Sequence, residues 1–233
     1  MPSFSEVHFT SFLAYPSASA FPDASANKFR ERIMSIKNDK TLPDTTPPRP
    51  AVEYTAQAIR KALETSDALK QCFSKELIAV PVPRSRLQKA DSLWPANRIC
   101  EELQRVGLVT NIAPMLRRFR EVKQSHKSSS GQNRPSVDDH YASIGVCAEF
   151  PLGGSANEFL LVDDLVTRGA TFLACAALLR EAIPEASVRA FAVARSLKNS
   201  RPIRILDPVA GTCRIDAGSQ SACHSGPFRP RCR

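Results

Sequence analysis

A chain of 233 residues, 42% hydrophobic and 24% charged, has the composition of a folded globular protein and can hold one α/β domain with a small appendage. It contains no run of eighteen apolar residues, which excludes a membrane-spanning helix. A formal net charge of +9 favours polyanionic partners: nucleic acid is one, and any small ligand rich in phosphate is another.

The N-terminal MPSFSEVHFTSFLAYPSASAFPDASA lacks the basic start of a signal peptide, and Glu6 and His8 interrupt its apolar part, so export is not expected. Residues 1 to 26 read as an extended segment with a short strand at HFTSFLAY, and KFRERIMSIKNDK (28 to 40) as a basic helix. The Pro-rich LPDTTPPRP (42 to 50) is a linker. A helix follows from about Ala51 to Leu69, with Val52, Ala56, Ile59 and Leu63 marking one face.

In ELIAVPVPRSR (76 to 86) the apolar LIAV predicts a central strand, which Pro81 and Pro83 keep from continuing far. WPANRICEELQRVG (94 to 107) predicts a helix with Pro95 at its start, Ile99, Leu103 and Val106 on one face, and Gly107 as its stop. VTNIAPML (109 to 116) is a short strand or extended stretch. Residues 117 to 141 then change character: Arg117, Arg118, Arg120, Lys123, Lys127 and Arg134 surround three consecutive serines with almost nothing apolar. A loop of this length in a compact domain is a lid, a binding loop or a disordered surface segment.

SIGVCAEF (143 to 150) reads as a strand and NEFLLVDD (157 to 164) as a more buried one. The apolar helix ATFLACAALLREA (170 to 182) and the strand SVRAFAVAR (187 to 195) complete a βαβ unit, which implies a parallel sheet. After Lys198 the chain reads as irregular, with a tail rich in Gly, Ser, Cys and Arg. The fold class is therefore α/β, an open and mainly parallel sheet with flanking helices. Seven cysteines, an odd number without a close CxxC pair, suit reduced thiols in a cytoplasmic protein.

The segment FLLVDDLVTRGAT (159 to 171) carries the chemistry. Ligands of open parallel sheets bind beyond the carboxyl ends of the strands, where Asp163 and Asp164 are expected. Neighbours on an extended strand point to opposite sides, so the two carboxylates cannot serve one ligand equally unless the chain is already turning. A carboxylate there can accept hydrogen bonds from sugar hydroxyls or hold waters around Mg²⁺. Gly169 permits a tight turn, and the first N–H groups of the next helix, with the hydroxyls of Thr167 and Thr171, can wrap a phosphate. A lone TxGxT is ordinarily a plain turn. Here the carboxylates a few residues earlier suggest one ligand with a phosphate and a diol, as a 5-phosphorylated ribose has.

LLVDDLVTRGAT resembles the ribose-phosphate signature of the type I phosphoribosyltransferases, and the wider chain looks like their ComF-like branch, over residues 76 to 195. The resemblance implies that Asp163 and Asp164 contact the ribose hydroxyls of phosphoribosyl pyrophosphate, and that Thr167, Arg168, Gly169, Ala170 and Thr171 bind its 5-phosphate. Arg84, Ser85 and Arg86 in VPVPRSR are then the pyrophosphate loop. Residues 117 to 141 are the flexible lid, bringing Lys123, Ser125, Lys127 and Arg134. The implied organisation is a core from 51 to 200, an N-terminal extension (1 to 50) contributing to a hood over the site, and an irregular tail (201 to 233). The implied reaction transfers the phosphoribosyl group to a nitrogenous acceptor with Mg²⁺ and releases pyrophosphate. Arg195, at the end of its strand, reads either as reaching towards the acceptor or the pyrophosphate or as a solvated surface arginine. LQKADSLWPANRICEEL stands where ComF-like proteins carry an RGFNQ-type segment, and the first 71 residues hold no cysteine for their zinc module. The acceptor is thus left open, as are a homodimer, nucleic-acid binding, and a non-catalytic sensor of phosphoribosyl pyrophosphate.

Other residues are less distinctive. Cys213, Cys223, His224 and Cys232 could form a Cys₃His zinc site by composition, but their spacing is no close-pair knuckle, and a tail with incidental cysteines is the simpler reading. His126 and His140 flank the serine-rich loop, and nothing in their spacing selects either as a base. Trp94 reads as a packed helix start.

Overall fold

The computed structural model describes residues 6–17, 24–73, 76–122, 135–147, 157–197, 204–215 and 222–225. The first half of the chain forms β1 (Glu6–Pro16), α1 (Ala24–Lys37), the short β2 (Thr41–Leu42) and β3 (Arg49–Pro50), α2 (Ala51–Ala62), α3 (Asp67–Cys72), β4 (Ile78–Pro81) and α4 (Pro95–Arg105). The second half forms β5 (Asn111–Ile112), β6 (Leu116–Arg118), α5 (Val137–Tyr141), β7 (Ile144–Val146), β8 (Glu158–Val166), α6 (Ala170–Ala182), β9 (Ser187–Leu197), β10 (Leu206–Ile215) and β11 (Ala222–Ser225).

Seven strands make one open sheet in the order β11-β10-β1-β9-β8-β4-β5. From β1 to β5 all neighbours are parallel, whereas β10 and β11 extend the β1 edge antiparallel. The fold is thus α/β, with the open, mainly parallel sheet that the sequence implies. Alternation along β8 sets its two layers. Phe159 and Leu161 face one core with Leu173, Cys175 and Ala176 of α6, and Leu160 and Val162 face the other with Ile59 of α2 and Leu103 of α4. Among the described residues no helix is long and apolar enough to cross a membrane.

Several expectations need correction. The strand in HFTSFLAY is the middle of an eleven-residue β1, which lies inside the main sheet between β9 and β10 rather than in an extension above it. Two strand partners and nearly continuous burial explain why it is central. The region after Lys198 is likewise not wholly irregular, because β10 pairs with β1 from Leu206 to Arg214. The helix expected to reach Leu69 stops at Ala62, and α3 restarts after Ser66, whose hydroxyl accepts from Leu69 N–H at 3.4 Å. Among the described residues of VTNIAPML and SIGVCAEF only short pieces are strand. β7 pairs with β6 in a ribbon apart from the main sheet. Residues 117 to 141 are not one structureless loop either, since β6 ends within them and α5 closes them. A reciprocal Ser136/Asp139 capping box starts α5.

Phe191 of β9 is fully buried, and its ring stands 5.2 Å from that of Phe73. Phe191→Ala should cost about 3–5 kcal/mol in urea unfolding, the usual price of a large buried cavity. A loss below about 1 kcal/mol would mean that the α2–α4 face of the sheet repacks freely.

Candidate functional site

The site begins where two parallel strands part. Val82 N–H donates to the carbonyl of Val162 at 2.9 Å, and β4 has no ladder to β8 beyond it. β8 runs on beside β9, pairing Asp163 with Ala192 and Val166 with Arg195. The aspartates therefore sit inside the strand and not at its end, because β9 carries the ladder past them. Their side chains diverge as strand alternation requires. Asp164 meets Lys37, the last residue of α1, at 3.4 Å and is 13% exposed. Asp163 is half-buried, accepts the backbone N–H of Asp164 at 2.8 Å, and lines a pocket over the α6 end of the crevice. Burial first, and then the charge of Asp164, hold the Asp163 carboxyl well above the ordinary carboxylate range; the Asp164 N–H and Lys37 oppose this.

That pocket is lined by Thr167, Arg168, Gly169, Ala170 and Thr171 together with Asp163 and His140. All five turn residues thus share one cavity with the first aspartate. Gly169 is required twice over. Its φ is +84°, and a Cβ there would lie 2.2 Å from Cys213 Sγ and 2.7 Å from its Cβ. The glycine heads α6, whose first N–H groups have no partner within the helix.

Two buried polar residues that the sequence did not single out stand behind the turn: His140 lines the pocket, and Arg118 holds His140. His140 of α5 and Arg118 of β6 are 5% and 7% exposed. The Arg118 guanidinium donates to the Arg84 carbonyl, to Ser143 Oγ, and to His140 Nδ1 at 3.2 Å. His140 Nε2 lies 3.4 Å from Thr171 Oγ1. Burial, aided by the charges of Arg118 and Arg168 and opposed by Asp139, pushes the imidazole down to about 3, so it is neutral at pH 7. A signal for each was present. Leu116 and Arg118 share strand parity, and Ser136-x-x-Asp139 marks the helix that carries His140.

The loop after β4 is folded back on itself. Trp94 Nε1 donates to the Val82 carbonyl at 2.9 Å, as a packed helix start does. Arg84 Nη1 donates to the Leu93 carbonyl at 2.6 Å, the Ser85 carbonyl accepts from Val122 N–H at 3.0 Å, and Arg86 is exposed. Arg195 does not reach over the edge of the sheet towards an acceptor. It is buried, and its guanidinium is taken by the Asp207 carboxylate and by the Asp207 carbonyl at 3.0 Å. Lys123, Ser125, His126, Lys127 and Arg134 lie outside the described residues, as do Cys232 and the side chains of Cys223 and His224. Cys213 is buried beneath Gly169. Among the described residues no cluster of three or more His, Cys, Asp or Glu is placed to hold a metal ion.

No protein-family model matches the sequence, and no curated protein matches it. Among solved structures the chain is similar to a hypoxanthine phosphoribosyltransferase from Staphylococcus aureus in two crystal forms. The tetragonal form is 15% identical over 65% of this chain and 71% of that one, with a TM-score of 0.30. The orthorhombic form is 17% identical over 66% and 70%, with a TM-score of 0.29. Neither similarity points to the ComF-like branch in particular, and at such scores neither bears on substrate or mechanism.

Two outcomes follow from this geometry. Gly169→Ala should lose at least about 2 kcal/mol of stability, from left-handed backbone strain and overpacking against Cys213. Cys213→Ala in the same chain should recover only part of it, because the Cβ clash persists; full recovery in thermal melts would show that backbone strain contributes nothing. Asp163→Asn tests the raised carboxyl. The folded protein holds that proton more tightly than the unfolded chain does, so stability falls as pH rises above the ordinary aspartate value. The asparagine variant should melt about 2–4 °C higher at pH 7.5, the shift that 1 kcal/mol gives a domain of this size. The gain should vanish near pH 4, and no gain at pH 7.5 would mean that the charge is already compensated.

Proposed function

We propose that the protein binds phosphoribosyl pyrophosphate with Mg²⁺ and transfers its phosphoribosyl group to a nitrogenous acceptor. The observation that carries this reading is that Asp163 and the turn from Thr167 to Thr171 line one pocket, at the point where β4 and β8 part. The turn offers backbone N–H groups at the head of α6, two threonine hydroxyls and Arg168, a donor set suited to a terminal phosphate. Asp163, on the same wall, is the acceptor for a ribose hydroxyl. Asp164 faces away and is held by Lys37, so its contribution is electrostatic.

In this reading the C1–O bond to pyrophosphate breaks as the acceptor nitrogen bonds to C1, and the nitrogen loses its proton to solvent. Positive charge gathers on the ribose ring and negative charge on the departing pyrophosphate. An ionised Asp163 would favour the first, and Arg84 and Arg86, on the loop after β4, would be the cations for the second. A carboxyl driven towards its neutral form first by burial and then by the charge of its neighbour suits a divalent cation that relieves the repulsion. Mg²⁺, reached through water and the ligand, would supply positive charge against the leaving group.

Calorimetric titration with phosphoribosyl pyrophosphate, with and without Mg²⁺, tests the reading. Magnesium-dependent binding is expected, weakened at least tenfold in Asp163→Asn/Asp164→Asn, with pyrophosphate released when the right nucleobase is added. Binding without release from any base in a panel would favour a sensor. Absence of binding would overturn the reading.

A further inference from the structure

Arg118 is a buried cation that forms no ion pair among the described residues. Burying a charge without a carboxylate partner is costly, so its three hydrogen bonds have to hold it in place. All three acceptors are neutral. One belongs to the loop after β4, one to Ser143 after α5, and one is the imidazole of His140. A guanidinium can only donate, which fixes what His140 must be: its Nδ1 accepts, and its single proton sits on Nε2. That proton faces Thr171 Oγ1. The threonine oxygen therefore accepts from the histidine, and its own hydroxyl hydrogen is left to point elsewhere. Thr171 stands in the first turn of α6 and lines the pocket, so the free direction lies towards a bound anion.

The geometry points to Arg118 and His140 as positioning residues that fix Thr171 as a hydrogen-bond donor to the phosphate of the ligand. This deepens the reading of the turn as a phosphate site and rests on it. A hydroxyl free to rotate can donate or accept, whereas one whose oxygen is already engaged is preorganised to donate and polarised by the chain behind it. Arg118 also holds the carbonyl of Arg84, so the guanidinium that orients the phosphate turn braces the loop proposed for the pyrophosphate.

The test uses the full chain with ribose 5-phosphate as probe, which carries the phosphate without the pyrophosphate. His140→Asn keeps an acceptor near the Nδ1 position but loses the Nε2 donor; His140→Gln keeps a donor near Nε2. Thr171→Val removes the hydroxyl and Thr171→Ser retains it. His140→Asn and Thr171→Val should each weaken ribose 5-phosphate binding about tenfold, the worth of a hydrogen bond to a charged group. The double variant should be no weaker than Thr171→Val alone, and His140→Gln and Thr171→Ser should stay near wild type. The ¹⁵N shifts of His140 at pH 7 should show a neutral ring protonated on Nε2.

Additive losses in the double variant, or a ring protonated on Nδ1 or on both nitrogens, would overturn the positioning role while leaving the phosphate site standing. Failure of the wild-type protein to bind either ribose 5-phosphate or phosphoribosyl pyrophosphate would overturn both. Should His140→Asn not fold, the ring shifts of the wild-type protein and the Thr171→Val and Thr171→Ser affinities still decide.

Discussion

The hydrogen bond from Val82 N–H to the Val162 carbonyl is the last that joins β4 to β8, and the site depends on its being the last. Val82 turns its N–H to β8, so the N–H groups that Pro81 and Pro83 lack belong to the opposite, β5 side, as the Ala79 carbonyl does; the pairing with β8 ends because the chain leaves the strand after Val82. β8 continues without β4, held by β9 alone, and its free edge from Asp163 onward becomes the wall of a crevice. Had β4 run on for one more hydrogen-bonded pair, it would have covered the carboxylates. The crevice is thus set by where β4 leaves the sheet, in a stretch that holds neither the carboxylate pair nor the turn.

Strand geometry then separates the charges. Asp164 is turned to the α1 side and meets Lys37, while Asp163 is turned into the pocket. On the same side Arg118 is buried without an ion pair among the described residues; burial lowers the guanidinium's hold on its proton, and the charges of Cys175 and Asp163 oppose this. Asp163 and His140 respond to pH in opposite senses. Asp163, raised, withdraws stability as pH climbs past the ordinary aspartate value. His140, depressed to about 3, withdraws it as pH falls from 6.5, since the unfolded imidazole takes up a proton that the buried one refuses.

How much of this was legible depended on sequence distance. The apolar LIAV with its prolines, the strand into Asp163, the glycine turn and the apolar α6 are local patterns, and each took its expected place. β1 and β10 were not legible as one sheet edge, because Glu6 pairs with Arg214 across almost the whole chain and Pro208 and Gly211 break the strand pattern of β10. Arg118, Lys37 and His140 read as ordinary solvated or loop residues, since what distinguishes them is burial and facing partners that no window of sequence contains. Arg195 erred the other way. At the end of a strand it looked like a group reaching for substrate, and the structure gives it Asp207, twelve residues later in an element that the sequence left irregular.

The turn itself shows why such a site needs a whole fold. Gly169 can take its left-handed conformation anywhere, but here Cys213 of β10 fills the space where a side chain would go. Thr171 is met by His140 from α5, and Asp163 closes the pocket from β8. Three residues from three elements converge on a turn whose own hydrogen bonds inside α6 begin with Leu173 N–H on the Gly169 carbonyl, at 3.0 Å. The first N–H groups of α6 have no partner within the helix, and side chains around the turn support it. A phosphate that takes up those groups would meet a cradle held open by the packing behind it, at little further cost in ordering.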